Sequence, residues 1–508
     1  MENLENIFNE TNALLQSRNE WLLIVQSGKT FALERDEIEL TFERGKLILG
    51  FLGEKGFQIW RVTDCHKKGE KIIFEVTRNF EKERGKIQLV PRVLASDLGD
   101  AVELARLEKS NQIAHLIVSE IKNSKVVRVS LNEENGRFAR IIFETASGEQ
   151  TAALADVADQ VTPELFLTTA ILWLVKLEKR KKKPISMIWV LTEKKTTKPL
   201  QKLHALLREN CQRQVKLWEI SRQGANTQMV KESSLKEVAS LRISDLWRAK
   251  KSKTLLKKSF EISQTAQEII SCAPGKIDFL FTKNGESLRF LGLPFARVRK
   301  MPNEEKAWFG IEKNKQILSE TSRQEFFDLL ENLKTYRQFD SPNKRHALFR
   351  LAPEAWLEAI LRRNIKLLDA NLIFSPLYNQ FRAAADRIDL LALRQDGRLV
   401  IIELKVSPDR EMIFQAIDYW RKIELDRRQG NLQKAKIFGD LEITDEPALV
   451  YLVAPTLSFH RDFDFLAKTV APEIEIFRFD LNENWRENLK VLRTEKIQSR
   501  FRPNINVF

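Results

Sequence analysis

Two charged residues interrupt an apolar run late in the chain. Residues 400–405 read VIIELK, so Glu403 and Lys405 stand two positions apart, and on a strand they project from the same face. Ionised groups on a Val/Ile/Leu strand are expensive to bury unless something binds them. The segment just before, RIDLLALRQDGRL, is expected to pair with this one as a hairpin, and Asp389 is the only acid on its first strand. The turn decides whether the two acids meet. A two-residue Asp396-Gly397 turn sets Leu390 opposite Glu403 and sends Asp389 to the other face. A three-residue Gln395-Asp396-Gly397 loop, with Gly397 left-handed, sets Asp389 opposite Glu403 and keeps Lys405 on that face. Two carboxylates held that close repel and favour a divalent cation, while a neighbouring ammonium stabilises charge on a phosphate or helps deprotonate a water. Oxygen ligands that leave positions open for water and phosphate suit Mg2+ or Mn2+ better than zinc. This is chemistry for hydrolysing a phosphodiester bond.

The surrounding periodicity shows what must hold these groups. Residues 346–508 read as a helix (PEAWLEAILRRN), a strand (LIFSPLYNQFR), the hairpin, a helix (MIFQAIDYWRKI), a strand (ALVYLVA), a helix (FHRDFDFLAKTV) and a strand (EIEIFRFDL). That is an αβββαβ order. Residues 100–222 repeat it, which suggests an internal duplication. Element by element, the ELK triplet falls against residues 153–156 and QAIDYW against TAILWL, so the first copy lacks the charges.

With these residues in this order, the C-terminal region resembles the PD-(D/E)XK nuclease superfamily. Its restriction-endonuclease-like core is an αβββαβ unit with an acid on the second core strand and (D/E)-x-K on the third. The resemblance covers roughly residues 346–480. It implies that Asp389 and Glu403 bind a metal, Mg2+ or Mn2+, that the carbonyl of Leu404 is a further ligand, and that Lys405 is catalytic. The first-helix glutamate of many members is matched by Glu354, with Glu358 four residues on as the alternative. A Gln-x-x-x-Tyr pair on the helix after the third strand is matched by Gln415 and Tyr419, which share a helix face; it implies orientation of metal or DNA. One departure is AAADRIDLL, which has no glycine ahead of the acid and leaves Asp386 as a competitor. E-x-K triplets also occur at 120–122, 193–195 and 304–306, but none lies in an apolar strand.

The rest of the chain reads as a multidomain α/β protein. At 508 residues, about three or four domains are expected. Residues 1–95 show strand-like runs at short spacing and predict a small β-rich, barrel-like or curled sheet. There Trp60, Phe74 and Phe51 read as core rather than as a base-stacking surface. Residues 223–268 read as a basic linker, 270–345 as a small α+β module and 346–508 as the nuclease-like domain. No apolar run approaches the ~20 residues of a membrane helix, and the acidic start is unlike a signal peptide, so a cytoplasmic location without membrane contact is expected. Cys65, Cys211 and Cys272 are scattered, and no spacing offers a zinc site.

Charge points to a polyanion. Residues 176–258 hold 23 Lys and Arg against 7 Asp and Glu, whereas residues 346–508 hold 25 against 24. The basic stretch therefore exceeds the whole chain's net charge of +14, and it has the footprint of a phosphate-backbone binder. The expected function is a metal-dependent deoxyribonuclease, gripping DNA through basic N-terminal regions. The alternative is a catalytically silent DNA-binding or scaffold protein on a nuclease-like fold. Charge does not separate DNA from RNA. No nucleotide-binding GxxxxGK[ST] motif is present, and cutting both strands of a duplex calls for a homodimer, a partner protein or two events.

Overall fold

The computed structural model describes residues 2–497, apart from 223–232, 249–260, 376–388 and stretches of one to four residues elsewhere. Asp386 lies outside the described residues. The protein is multidomain α/β with four sheets. It divides into two compact units: residues 1–161 with 181–192 and 220–235, and residues 162–180 with 193–219 and 236–508.

In the first unit, the helix Glu2–Gln16 precedes a seven-stranded antiparallel half-barrel. Its hydrogen-bonded order runs from Thr30–Glu34 at one edge to Ile38–Glu43 at the other. Alternating apolar positions make its core, in which Trp21, Leu49, Phe51 and Phe74 are fully buried. Phe51 and Phe74 are thus core residues. Trp60 packs at the rim, with the Arg78 guanidinium 4.3 Å over its ring. The helix Ala95–Glu120 then leads to β1 (Lys125–Leu131), β2 (Phe138–Glu144) and β3 (Gln150–Asp156), an antiparallel meander. β3 pairs in parallel with β4 (Ile188–Glu193).

The second unit contains α1 (Pro163–Glu178) and α2 (Lys194–His204). Thr162 starts α1 as a side-chain cap, accepting the Leu165 N–H at 3.1 Å, and Pro163 at the first position cannot miss a donor that would be orphaned anyway. Within the stretch read as a basic linker, the 3-10 turn Ile243–Arg248 sets Trp247 edge-on to Trp420 at 5.8 Å. Next come the helix Gln264–Ser271, a five-stranded antiparallel sheet beginning at Ile277–Thr282, and the helix Arg323–Tyr336.

The C-terminal elements follow as α3 (Pro353–Arg363), β5 (Leu372–Phe374), β6 (Leu390–Arg394), β7 (Leu399–Leu404), α4 (Met412–Arg428), β8 (Leu449–Pro455), α5 (Phe463–Lys468), β9 (Ile476–Leu481) and β10 (Val491–Lys496). β5, β6 and β7 are antiparallel neighbours; β7, β8 and β9 are parallel; β10 closes the sheet antiparallel. β7 is central and buried along its whole length, which is why its sequence is an apolar run. β1 to β4, with α1 between β3 and β4 in the chain, repeat the pairing senses of β5 to β8, where α4 holds the corresponding place.

One hydrophobic core joins the C-terminal sheet to the α+β elements before it, from Ala266 through Phe326 and Trp356 to Leu489. At their junction Arg337, fully buried, donates to the carbonyls of Phe290, Leu291, Leu348, Leu351 and Ala352 and lies 4.8 Å over the Trp356 ring. Its neighbour in space, Gly292, has φ +81°, and any Cβ there would stand 1.9 Å from the Ala355 carbonyl oxygen. Among the described residues no helix is long and apolar enough to cross a membrane.

Candidate active site

The β6–β7 hairpin uses the three-residue loop. Leu393 pairs with Leu399, the Arg394 N–H donates to the Arg398 carbonyl at 2.8 Å, and Gly397 takes φ +82°. Leu390 pairs with Ile402, so one further step of this antiparallel register brings Asp389 opposite Glu403. The Asp389 carboxylate accepts the Leu404 N–H at 2.9 Å, which fixes it against the end of β7.

Glu403 is 3% exposed. Burial, and then the charge of Asp389, push its carboxyl well above the usual range; Lys405 opposes this and Glu354 adds to it. Its Oε1 lies 3.2 Å from the Lys405 Nζ, while its Oε2 is buried without a hydrogen-bond partner. Lys405 also pairs with Asp409 at 3.3 Å. Burial disfavours the ammonium, but Glu403, Glu354, Asp409 and Asp389 outweigh it and hold Lys405 above its ordinary pKa.

Glu354 sits in the first turn of α3, where a carboxylate is favoured by the helix dipole. Its half-buried carboxyl is raised by burial; Lys405 lowers it, Asp409 raises it, and a backbone N–H from Val406 lowers it. The alternative, Glu358, one turn further along α3, is buried and pairs with Arg289 at 3.4 Å. The ambiguity left by their four-residue spacing is resolved by this partner, 69 residues earlier. Gln415 and Tyr419 are half-buried one turn apart on α4. Burial, then the charges of Glu403 and Asp389, raise the Tyr419 hydroxyl, which places that ring within the field of the two acids.

Sequence reasoning missed other members. Asp409 follows Lys405 by four residues in an ordinary SPDR turn, and that spacing was its one signal. Glu411, at the start of α4, accepts the Thr162 hydroxyl at 3.0 Å, and its carboxyl is raised by burial. Glu164 is raised by burial and is close enough to Asp418 and Tyr419 to act on both. The first copy thus contributes α1 to the flank of α4. A cavity of about 290 Å³ there is lined by Glu164, Lys198, Lys202, Asp418, Arg421 and Lys422, so part of the basic 176–258 stretch reaches this flank. The segments after α2 and α5 meet as well, through the Arg208 N–H on the Thr469 carbonyl at 2.9 Å and the Ala471 N–H on the Leu206 carbonyl at 2.8 Å.

The first copy's own sheet carries none of this chemistry. Aligning the first rungs of the two parallel ladders, Ala152 with Ile188 and Val400 with Leu449, sets Ala155 at the place of Glu403 and Val157 at that of Lys405. Ala139, opposite Ala155, then takes the place of Asp389. All three are buried.

The donor set fits a hard divalent cation. Glu403 and Asp389 supply carboxylates, the Leu404 carbonyl ends the same strand, and an unpartnered buried carboxylate oxygen is what a cation would satisfy. Among the described residues no group of three or more His, Cys, Asp or Glu side chains is gathered for a metal, so the set is the two acids and the carbonyl, with remaining positions left to water and phosphate.

No family model matches this chain, and no curated protein matches it. A solved structure described as "Structure of EndoMS in apo form" is similar over 37% of this chain and 84% of its own, with 8% sequence identity and a TM-score of 0.13. A score that low carries no argument about mechanism or substrate.

Proposed function

We propose that this protein is a metal-dependent nuclease that hydrolyses phosphodiester bonds of DNA. The observation that carries the reading is Glu403: an acid buried on a central strand, one oxygen paired with Lys405 and the other without a partner, beside Asp389. A structural role would leave neither the buried unsatisfied oxygen nor a second acid against it.

In this reading Asp389, Glu403 and the Leu404 carbonyl hold Mg2+ or Mn2+. When bound, the ion supplies charge neutralisation at the scissile phosphate and makes water more acidic. Lys405, steadied by Glu403 and Asp409, donates to the phosphate or the attacking water and stabilises charge developing there. Glu354 keeps Lys405 charged and aimed. Gln415 and Tyr419 line the α4 side and orient the strand. The nearly neutral C-terminal region has little long-range attraction for DNA, so the basic 176–258 stretch supplies the grip.

The test is cleavage of labelled single-stranded, duplex and forked DNA with Mg2+ or Mn2+, comparing the intact protein with Lys405→Ala. Metal-dependent products that the variant loses support the nuclease. DNA binding without products from either protein, together with no Mn2+ binding by calorimetry, establishes a scaffold instead.

A further inference from the structure

A second cavity, about 450 Å³, opens where the candidate active site ends. Its wall includes Pro353, Val406 and Ser407, so it begins one residue from Glu354 and one from Lys405. Four cations line it: Lys344, Arg345, Arg350 and Arg486. The single carboxylate in the lining, Glu483, is turned to the Leu457 N–H at 3.0 Å. None of the four cations is ion-paired among the described residues, although Lys405 next door has two carboxylates within 3.3 Å.

Arg486 packs against three aromatic rings, two of which, Phe349 and Trp485, line the cavity with it. Its guanidinium lies 4.4 Å from the Trp485 ring, 4.8 Å from Phe349 and 5.2 Å from Trp356. This stacking orients the guanidinium without using its donors on a carboxylate, and its Nε has no hydrogen-bond partner. Lys344, Arg345 and Arg350 are exposed and reach in from the segment joining the α+β elements to α3. Four like charges around one cavity repel unless an anion lies among them. Two of the four, Arg350 and Arg486, belong to residues 346–508, where 25 Lys and Arg stand against 24 Asp and Glu, and Lys344 and Arg345 join them from just before that span, so the concentration is local.

We propose that this cavity binds a phosphate of the substrate strand neighbouring the one that is cut, and so fixes the strand's register over Glu403. The inference rests on the nuclease reading and deepens it: the substrate is a strand whose phosphate reaches past Lys405 into a basic recess. The phosphate is either a terminal monoester or an internal diester of the same strand.

The test uses the full-length protein with Lys344→Ala, Arg345→Ala and Arg350→Ala combined, all surface positions, and leaves the stacked Arg486 intact. Binding of fluorescent single-stranded oligonucleotides is measured without metal across a salt series, so cleavage does not enter. The variant is expected to bind roughly tenfold more weakly, with the slope of log K against log salt smaller by about 0.7 for each phosphate that the protein no longer neutralises. Equal weakening with 5′-hydroxyl and 5′-phosphate oligonucleotides identifies an internal phosphate. Weakening confined to one phosphorylated end identifies a terminal one. Unchanged affinity and slope overturn the cavity assignment while leaving the nuclease reading in place; a wild-type protein that binds no nucleic acid overturns the nuclease reading on which the assignment rests.

Discussion

Replacing Glu403 by Gln should stabilise the metal-free protein while abolishing its response to metal. Glu403 is 3% exposed and its Oε2 has no partner. An unsatisfied buried acceptor costs about 1–3 kcal/mol, and more when charged. Glutamine has nearly the same volume, still offers an oxygen to Lys405 at the position now 3.2 Å away, and turns an amide donor towards the acid beside it. The loss is the charge assistance in the Lys405 bond, about 1 kcal/mol, and Lys405 keeps Asp409. The net gain is about 1–2 kcal/mol, or a rise in Tm of about 2–4 °C for an unfolding unit of this size. The pH dependence has a definite sign. Because burial and Asp389 raise the folded-state pKa of Glu403, its contribution to stability is complete below the ordinary carboxylate range and is lost as pH rises through the raised value. The variant lacks that loss, so its advantage over wild type should grow from acid towards neutral pH. Thermal unfolding in EDTA reads this directly. Saturating Mn2+ reverses the comparison: at 100 times Kd the wild type gains about 2.7 kcal/mol and the variant nothing. A variant less stable than wild type in EDTA at neutral pH would refute the claim that Glu403 is held against its own electrostatics. Equal gains from Mn2+ in both proteins would remove it from the metal site.

Other perturbations probe the frame. His204 is buried, with Nε2 on the Val215 carbonyl at 2.7 Å, and burial holds it down to about 4 from 6.5. A depressed folded-state pKa means its stabilisation is present above pH 6.5 and lost as pH falls towards 4, about 3 kcal/mol in all; His204→Gln should flatten unfolding free energy against pH over that window. Gly292→Ala adds a left-handed cost of about 1 kcal/mol and a methyl 1.9 Å from the Ala355 carbonyl. The start of α3 must then shift, so calorimetry should show a lowered Tm together with weaker Mn2+ binding. Replacing Lys250, Lys251, Lys253, Lys257 and Lys258 by Gln should weaken DNA binding and flatten its salt dependence, measured by anisotropy, while Mn2+ affinity measured by calorimetry stays as in the intact protein.

Glu403 and Lys405 were legible because charged residues on a buried strand are anomalous in any sequence. The hairpin was legible as two alternatives, since Asp396-Gly397 suits both turn lengths; the choice came from the Arg394–Arg398 pairing and from Thr444, whose methyl would lie 2.7 Å from a Cβ on Gly397. Glu354 and Glu358 were indistinguishable because a helix face has no direction until its neighbours are placed, and Arg289 places it. Asp409, Glu411 and Glu164 were illegible for a related reason. Their residue types are commonplace at turns and helix starts, and what distinguishes them is proximity to Lys405 or Tyr419 across long stretches of chain. The repeat in element order was visible, but the packing of α1 on α4 was not, because apolar helix faces do not name their partners.

The arginine hub at Arg337 makes the αβββαβ core non-portable. Its five carbonyl acceptors come from both sides of residue 346, and the ring that covers it belongs to α3. A chain begun at 346 would bare the apolar faces of Phe349 and Trp356 and strip donors from Leu348, Leu351 and Ala352, at the very start of the helix that carries Glu354. Such a fragment would lose its chemistry by failing to hold its shape, with every catalytic candidate still in its sequence. The smallest unit that can hold this site is therefore larger than its motif, and it reaches back at least to the strand that ends at Phe290.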